Sequence, residues 1–234
     1  MEIIAARSFN TLYIYLDIIW LVFFCSFLWA TKRRLALIVG LAAGAIYFLA
    51  DYGIFYKVLD TRVVTGADPF WLLLWMSFTY GTTNFAWIWL MLDRDDRAME
   101  WSVLILAAWL TIALLSQNFG ANFPAVTTSR GTGDYHGVMA LICFVGYLII
   151  ILLNLQGQTQ ERIPILRLMG IGIGIQFGWE AVLLVSGIRP TAILPLIVNS
   201  LIETNLGLPY MYFIHKAIRQ KLKPDLRARN KIIV

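Results

Sequence analysis

The sequence predicts an all-α, polytopic membrane protein of seven transmembrane helices. Three observations carry that prediction. Seven apolar stretches fill nearly all of the 234 residues, each close to the roughly 20 residues that a bilayer crossing requires. The chain is 59% hydrophobic and only 14% charged, whereas a soluble domain is about a quarter charged. Its 19 Lys and Arg also alternate in density between successive connections.

The expected spans are 11–30, 35–56, 70–92, 99–117, 136–155, 164–187 and 191–214. Runs of this length in lipid must be helical, because nothing there can pair an open backbone. The first is too long for a signal-peptide core, and Trp29-Ala30-Thr31 before Lys32-Arg33-Arg34 makes a poor cleavage site, so it reads as a retained span. Gly40 and Gly44 in the second span, and Gly170, Gly172, Gly174 and Gly178 in the sixth, read as close-packing faces. In the seventh, Pro209 removes a backbone donor and predicts a kink near Glu203. The long connection 118–135, rich in Gly, Ser, Thr and Asn with Pro124, reads as a loop and a candidate lid. Residues 1–215 form the membrane domain and 216–234 a basic tail.

Orientation follows the cations. One side holds Arg7, Lys57, Arg62, Arg130 and Arg189, and the other holds the remaining fourteen. The richer side faces the cytoplasm, which places the N terminus outside and the C terminus inside. The membrane is a bacterial plasma membrane, or the endoplasmic reticulum if the source is a eukaryote. Most of the excess behind the net charge of +5 lies after Ile214. It suits anionic membrane lipid rather than nucleic acid. Cys25 and Cys143 lie singly in apolar runs, so no metal or cofactor is expected.

A weak internal repeat is also visible. Ala50-Asp51-Tyr52 and Trp179-Glu180-Ala181 place an acid at similar depth, and Arg62 and Arg189 follow at similar distances. Asp68-Pro69 matches Arg189-Pro190, and Ser77 matches Ser200. The layout would be two parallel three-helix repeats joined by the fourth span.

Four carboxylates inside the spans, Asp17, Asp51, Glu180 and Glu203, are the candidate functional groups. Acids in hydrocarbon are costly and usually line a cavity. With the orientation above, three of them fall in the outer half and Glu203 falls near the middle. Gln176 shares a helix face with Glu180, and Asn199 with Glu203. Tyr80 and Asn84 add polar groups from the third span, His136 opens the fifth, and Trp179 adjoins Glu180. Trp179, Gln176, Asn199, Asn84, Tyr80, Asp17 and His136 are therefore candidate substrate contacts. Each acid also has a purely structural reading. Asp17 could hydrogen-bond a neighbouring helix, and Asp51 and Glu180 could pair with Lys57, Arg62 or Arg189.

Phe48-Leu49-Ala50-Asp51 and Ser200-Leu201-Ile202-Glu203, with Pro209 beyond, resemble two short segments of a known family. These are the integral-membrane terpene cyclases of fungal meroterpenoid and indole-diterpene pathways, small seven-helix proteins. The first segment has Asp51 where that family has Glu, and Ala50 where it has Trp; a Trp-acid pair stands instead at Trp179-Glu180. The layout is also similar to a family of bacterial membrane proteins of open function. The cyclase resemblance implies metal-free acid catalysis on a lipophilic, isoprenoid-type substrate. Glu203 and Asp51 would be proton donors or cation stabilisers, with Glu180 assisting. The alternative is a small-solute transporter or binding protein built on the repeat. A third reading is a structural or sensory protein without chemistry.

Overall fold

The computed structural model describes residues 7–130, 135–157, 162–190 and 193–229. Helix α1 spans Thr11–Ala30, and the Asn10 side chain caps it by accepting from the Tyr13 N–H. Helix α2 covers Arg34–Phe48 and runs on as a π-helix over Leu49–Val58. Helix α3, Pro69–Asp93, starts on an Asp68 cap with Pro at its first position, where the missing N–H would be unpaired in any case. Helices α4 (Ala98–Phe119), α5 (His136–Leu155) and α6 (Ile165–Val185) follow. Helix α7 covers Ile193–Ile202, a 3-10 turn covers Asn205–Gly207, and α8 runs over Leu208–Arg229.

The first six expected spans thus appear as helices with ends moved by a few residues. The seventh is broken, as Pro209 predicted. Regular bonding stops where the Glu203 N–H donates to the Asn199 carbonyl, and Gly207 then bonds Thr204 in a tighter turn. Among the described residues, five helices are long and apolar enough to cross a membrane: α1, α2 with its π extension, α4, α5 and α6. Helix α3 has the length, at 25 residues, but carries buried Ser77, Thr79, Thr82, Thr83 and Asn84. Exposed Leu141, Phe144, Ile149 and Leu152 give α5 an apolar outer face, as a lipid-facing helix requires.

The all-α expectation needs one correction. Strands β1 (Arg7–Asn10), β2 (Arg62–Thr65) and β3 (Ala125–Arg130) form an antiparallel sheet in the order β1-β3-β2. Strand β3 falls in the connection read as a loop, of which 131–134 lie outside the described residues. The β-branched run Val126-Thr127-Thr128 favours an extended backbone. The strands join the same ends of α1 to α5, so the sheet closes one end of the bundle. Ser8 N–H donates to the Ile188 carbonyl, which ties β1 to the α6–α7 connection at that end.

The opposite end is held by charge. Arg33 grips Asp95 at 2.7 and 2.8 Å, and Asp93 accepts from Arg219 and pairs with His215. The start of the expected tail is therefore a continuation of α8 against the end of α3. Residues 230–234 lie outside the described residues.

Between the ends, α2 and α3 pack through glycines. A Cβ on Gly40 would sit 2.5 Å from the Thr82 carbonyl oxygen, and one on Gly81 would sit 2.6 Å from Gly44. The expected stripe on α6 is only half used. Gly172 meets Asn205 and Gly178 meets Leu106, but nothing lies within 4 Å of a Cβ at Gly170 or Gly174.

Candidate functional site: an acid- and arginine-lined cavity

A cavity of about 320 Å3 lies beneath the sheet. Helices supply Tyr47, Asp51, Ser77, Tyr80 and Asn199, the break after α7 supplies Glu203, the strands supply Arg7, Thr128 and Ser129 together with Arg62, and the α6–α7 connection supplies Arg189. Arg7 is the register partner of Thr128, and Arg62 of Arg130. Alternation along a strand therefore puts Arg7, Thr128 and Arg62 on one sheet face. Phe55, Met76, Met139 and Leu206 give the wall apolar area.

Asp51 belongs to the π-helical segment, whose wider turn is a common device at functional sites. It accepts from Arg62 Nη2 at 3.0 Å. Glu180 is fully buried behind the wall, with Arg189 Nε 2.8 Å from its Oε2. Its Oε1 accepts from Arg189 at 3.0 Å and Asn199 at 3.1 Å, with Arg7 and Gln176 each at 3.5 Å. The two acids have thus met the arginines that follow them by eleven and nine positions.

Gln176 links this hub to Glu203. Its amide Nε2 donates to Glu203 Oε2 at 3.2 Å, while its Oε1 accepts from Thr204 at 2.6 Å and from Tyr80. Glu203 sits at the helix break, facing the cavity. Tyr147 steadies the break by donating to Asn205 Oδ1 at 2.6 Å.

The remaining candidates divide. Asp17 and Trp179 line a second, adjoining cavity of about 30 Å3, which shares Arg7, Met76 and Tyr80 with the first. Asp17 is 1% exposed there and faces Trp75 and Thr79. Trp179 packs edge-on against Trp109 at 4.9 Å, so it serves the core as well. Asn84 is buried but does not line the cavity. It lies one helical turn beyond Tyr80, about 6 Å further from the sheet. His136 does not line it either, although Met139 on the next turn does.

Sequence reasoning missed Arg7, Arg62 and Arg189 as cavity residues, having used them mainly as topology markers. The signal was present for two of them, since each follows an intramembrane acid at a matched interval. Among the described residues, no three of His, Cys, Asp or Glu gather as they would around a metal ion. No protein-family model matches the chain, and no curated protein or solved structure matches it.

Proposed function

We propose that this chain is an integral-membrane enzyme of the terpene-cyclase kind, acting by acid catalysis on a lipophilic, isoprenoid-type substrate. The observation that carries the reading is convergence. Glu203 and Asp51, far apart in sequence, line one cavity, and Glu180 stands directly behind it. Asp51 and Glu180 are each paired with a guanidinium group, which suits them to stabilising charge. Glu203 accepts from the Gln176 amide at the helix break and faces the cavity, and the cyclase resemblance makes it the proton donor of this reading. It would protonate an epoxide or alkene of the prenyl chain. Asp51 and the Tyr47, Tyr80 and Phe55 rings would face the cation that migrates as rings close, with Glu180 assisting from behind the wall. Loss of a proton ends the sequence, so the product is an isomer of the substrate.

In this reading the chain crosses the bilayer seven times, with α3 as the polar inner span and α7–α8 as the broken one. The sheet end lies outside and α8 ends in the cytoplasm, in accord with the cation bias. Substrate would reach the cavity from the lipid.

A transporter is the second reading. It is favoured by the matched pairs Asp51–Arg62 and Glu180–Arg189, which fit two parallel repeats around α4.

The test is turnover in phosphatidylcholine nanodiscs with a panel of prenylated aromatic substrates and their epoxides, scored as products of unchanged mass. The cyclase reading expects product from wild type and none from Glu203→Gln, with both proteins folded. Full product formation by Glu203→Gln would remove that residue from the mechanism. Uptake of a polar solute into sealed vesicles, with no isomerised prenyl product, would move the assignment to the transporter.

A further inference from the structure

We propose that the sheet end of the main cavity is an anion subsite, built to hold a phosphate or carboxylate carried by the ligand. This rests on the reading of the cavity as a binding site and adds the polar end of what it binds. Donors crowd one oxygen of the Glu180 carboxylate, while its other oxygen, Oε2, has no hydrogen-bond partner among the described residues although Arg189 Nε lies 2.8 Å away. Four N–H groups, from Arg189, Asn199, Arg7 and Gln176, approach the single oxygen Glu180 Oε1. A carboxylate offers about four lone-pair sites across both oxygens, so one oxygen serves about two donors well. Arg189 and Asn199 fill those places at 3.0 and 3.1 Å, which leaves Arg7 stretched at 3.5 Å.

Two hydroxyls add further donors. Ser77 Oγ and Thr128 Oγ1 are buried, line the cavity and have no hydrogen-bond partner among the described residues. Thr128 is the cross-strand partner of Arg7, so the hydroxyl and the guanidinium stand side by side on the sheet face. The charges around the cavity balance, so donor geometry rather than net charge favours an anion. Three guanidiniums and two carboxylates line the cavity itself, and Glu180 lies behind the wall. Burying arginine–carboxylate pairs is weak as a source of stability, whereas a guanidinium fork matches an incoming phosphate or carboxylate through two parallel bonds. The unpartnered acceptors Asp51 Oδ1 and Asn199 Oδ1 suit the hydroxyl of a phosphate monoester or a water at its edge. The ligand is therefore amphipathic, with an anionic head under the sheet and an apolar chain against Phe55, Met139 and Leu206.

Titration calorimetry in phosphatidylcholine nanodiscs tests this with farnesyl phosphate against farnesol, and with inorganic phosphate alone. Wild type is expected to bind farnesyl phosphate about tenfold or more tightly than farnesol, as a charged hydrogen bond would give. Arg7→Gln should abolish that ratio, and Arg7→Lys should restore part of it. If Arg7→Gln does not fold, Ser77→Ala with Thr128→Val gives the same reading from the hydroxyl side. Equal affinities in wild type, or a preference that survives both sets of variants, would overturn the subsite. Competition by phosphatidylglycerol added to the nanodisc supports the subsite with a bilayer lipid as its source. Binding of inorganic phosphate alone supports it with a free anion as the source. Anion preference without any turnover would keep the subsite and remove the cyclase reading. Cyclisation of neutral prenyl substrates with no anion preference would do the reverse.

Discussion

Replacing Arg189 by Met measures what the Glu180 hub is worth. Both side chains are buried, at 2% and 0% exposure, and meet at 2.8 Å. Methionine keeps much of the apolar stem and brings no charge. It leaves the Glu180 carboxylate to Asn199 at 3.1 Å and to Arg7 and Gln176 at 3.5 Å. Removing one partner of a buried pair costs about 3–5 kcal/mol, because the other charge stays behind uncompensated. At about 2–4 °C per kcal/mol for a chain of this size, the melting midpoint falls by about 6–20 °C. Removing both charges, with Glu180→Gln and Arg189→Met together, recovers most of that loss. The assay is thermal unfolding in detergent micelles, followed by circular dichroism, on wild type, both single variants and the double. The cycle should return a coupling of about 2 kcal/mol or more. A single Arg189→Met variant that melts within about 2 °C of wild type, or a double variant equal to the sum of the singles, would refute the hub.

Two further outcomes follow from the packing and from the charges at the end opposite the sheet. Gly40→Ala drives a Cβ to 2.5 Å from the Thr82 carbonyl oxygen and should cost about 1–3 kcal/mol in the same unfolding assay. Gly170→Ala meets nothing within 4 Å and should be neutral, or stabilising by up to about 1 kcal/mol. Burial pushes the Asp95 carboxyl up, but hydrogen bonds from the Arg33 side chain and the Arg97 N–H outweigh it and hold it below the usual carboxylate range. A carboxyl lowered on folding stabilises above its unfolded value, about pH 4, and that contribution is lost as pH falls through its folded value. Asp95→Asn should therefore lower the midpoint at pH 7, and its difference from wild type should vanish once pH has fallen below the folded value of Asp95; a difference that persists there would contradict the pairing.

Much of this arrangement was legible in the sequence because membranes make polarity expensive. Gln176, Glu180, Asn199 and Glu203 stood out against apolar runs, and their spacing put them on shared faces that do meet. Pro209 likewise announced the break that turns Glu203 towards the cavity. The sheet was not legible as such. Strands of four to six residues carry too few alternations to stand out, and Arg7 and Arg62 read as interfacial charges until β3 placed them on one face. Asn84 and His136 lie off the cavity wall for another reason. Composition shows that a helix is polar, but only packing decides which turn reaches the cavity, and Tyr80 is the last on α3 to do so. The glycines of α6 teach the same point, since Gly172 meets a neighbour and Gly174 does not.

The most direct test of the central claim is native mass spectrometry with lipid extraction on gently purified protein. The account predicts a co-purified prenylated or polycyclic amphiphile in wild type, lost in Asp51→Asn and Glu203→Gln. A water-soluble solute in its place, lost on the same substitutions, would contradict it.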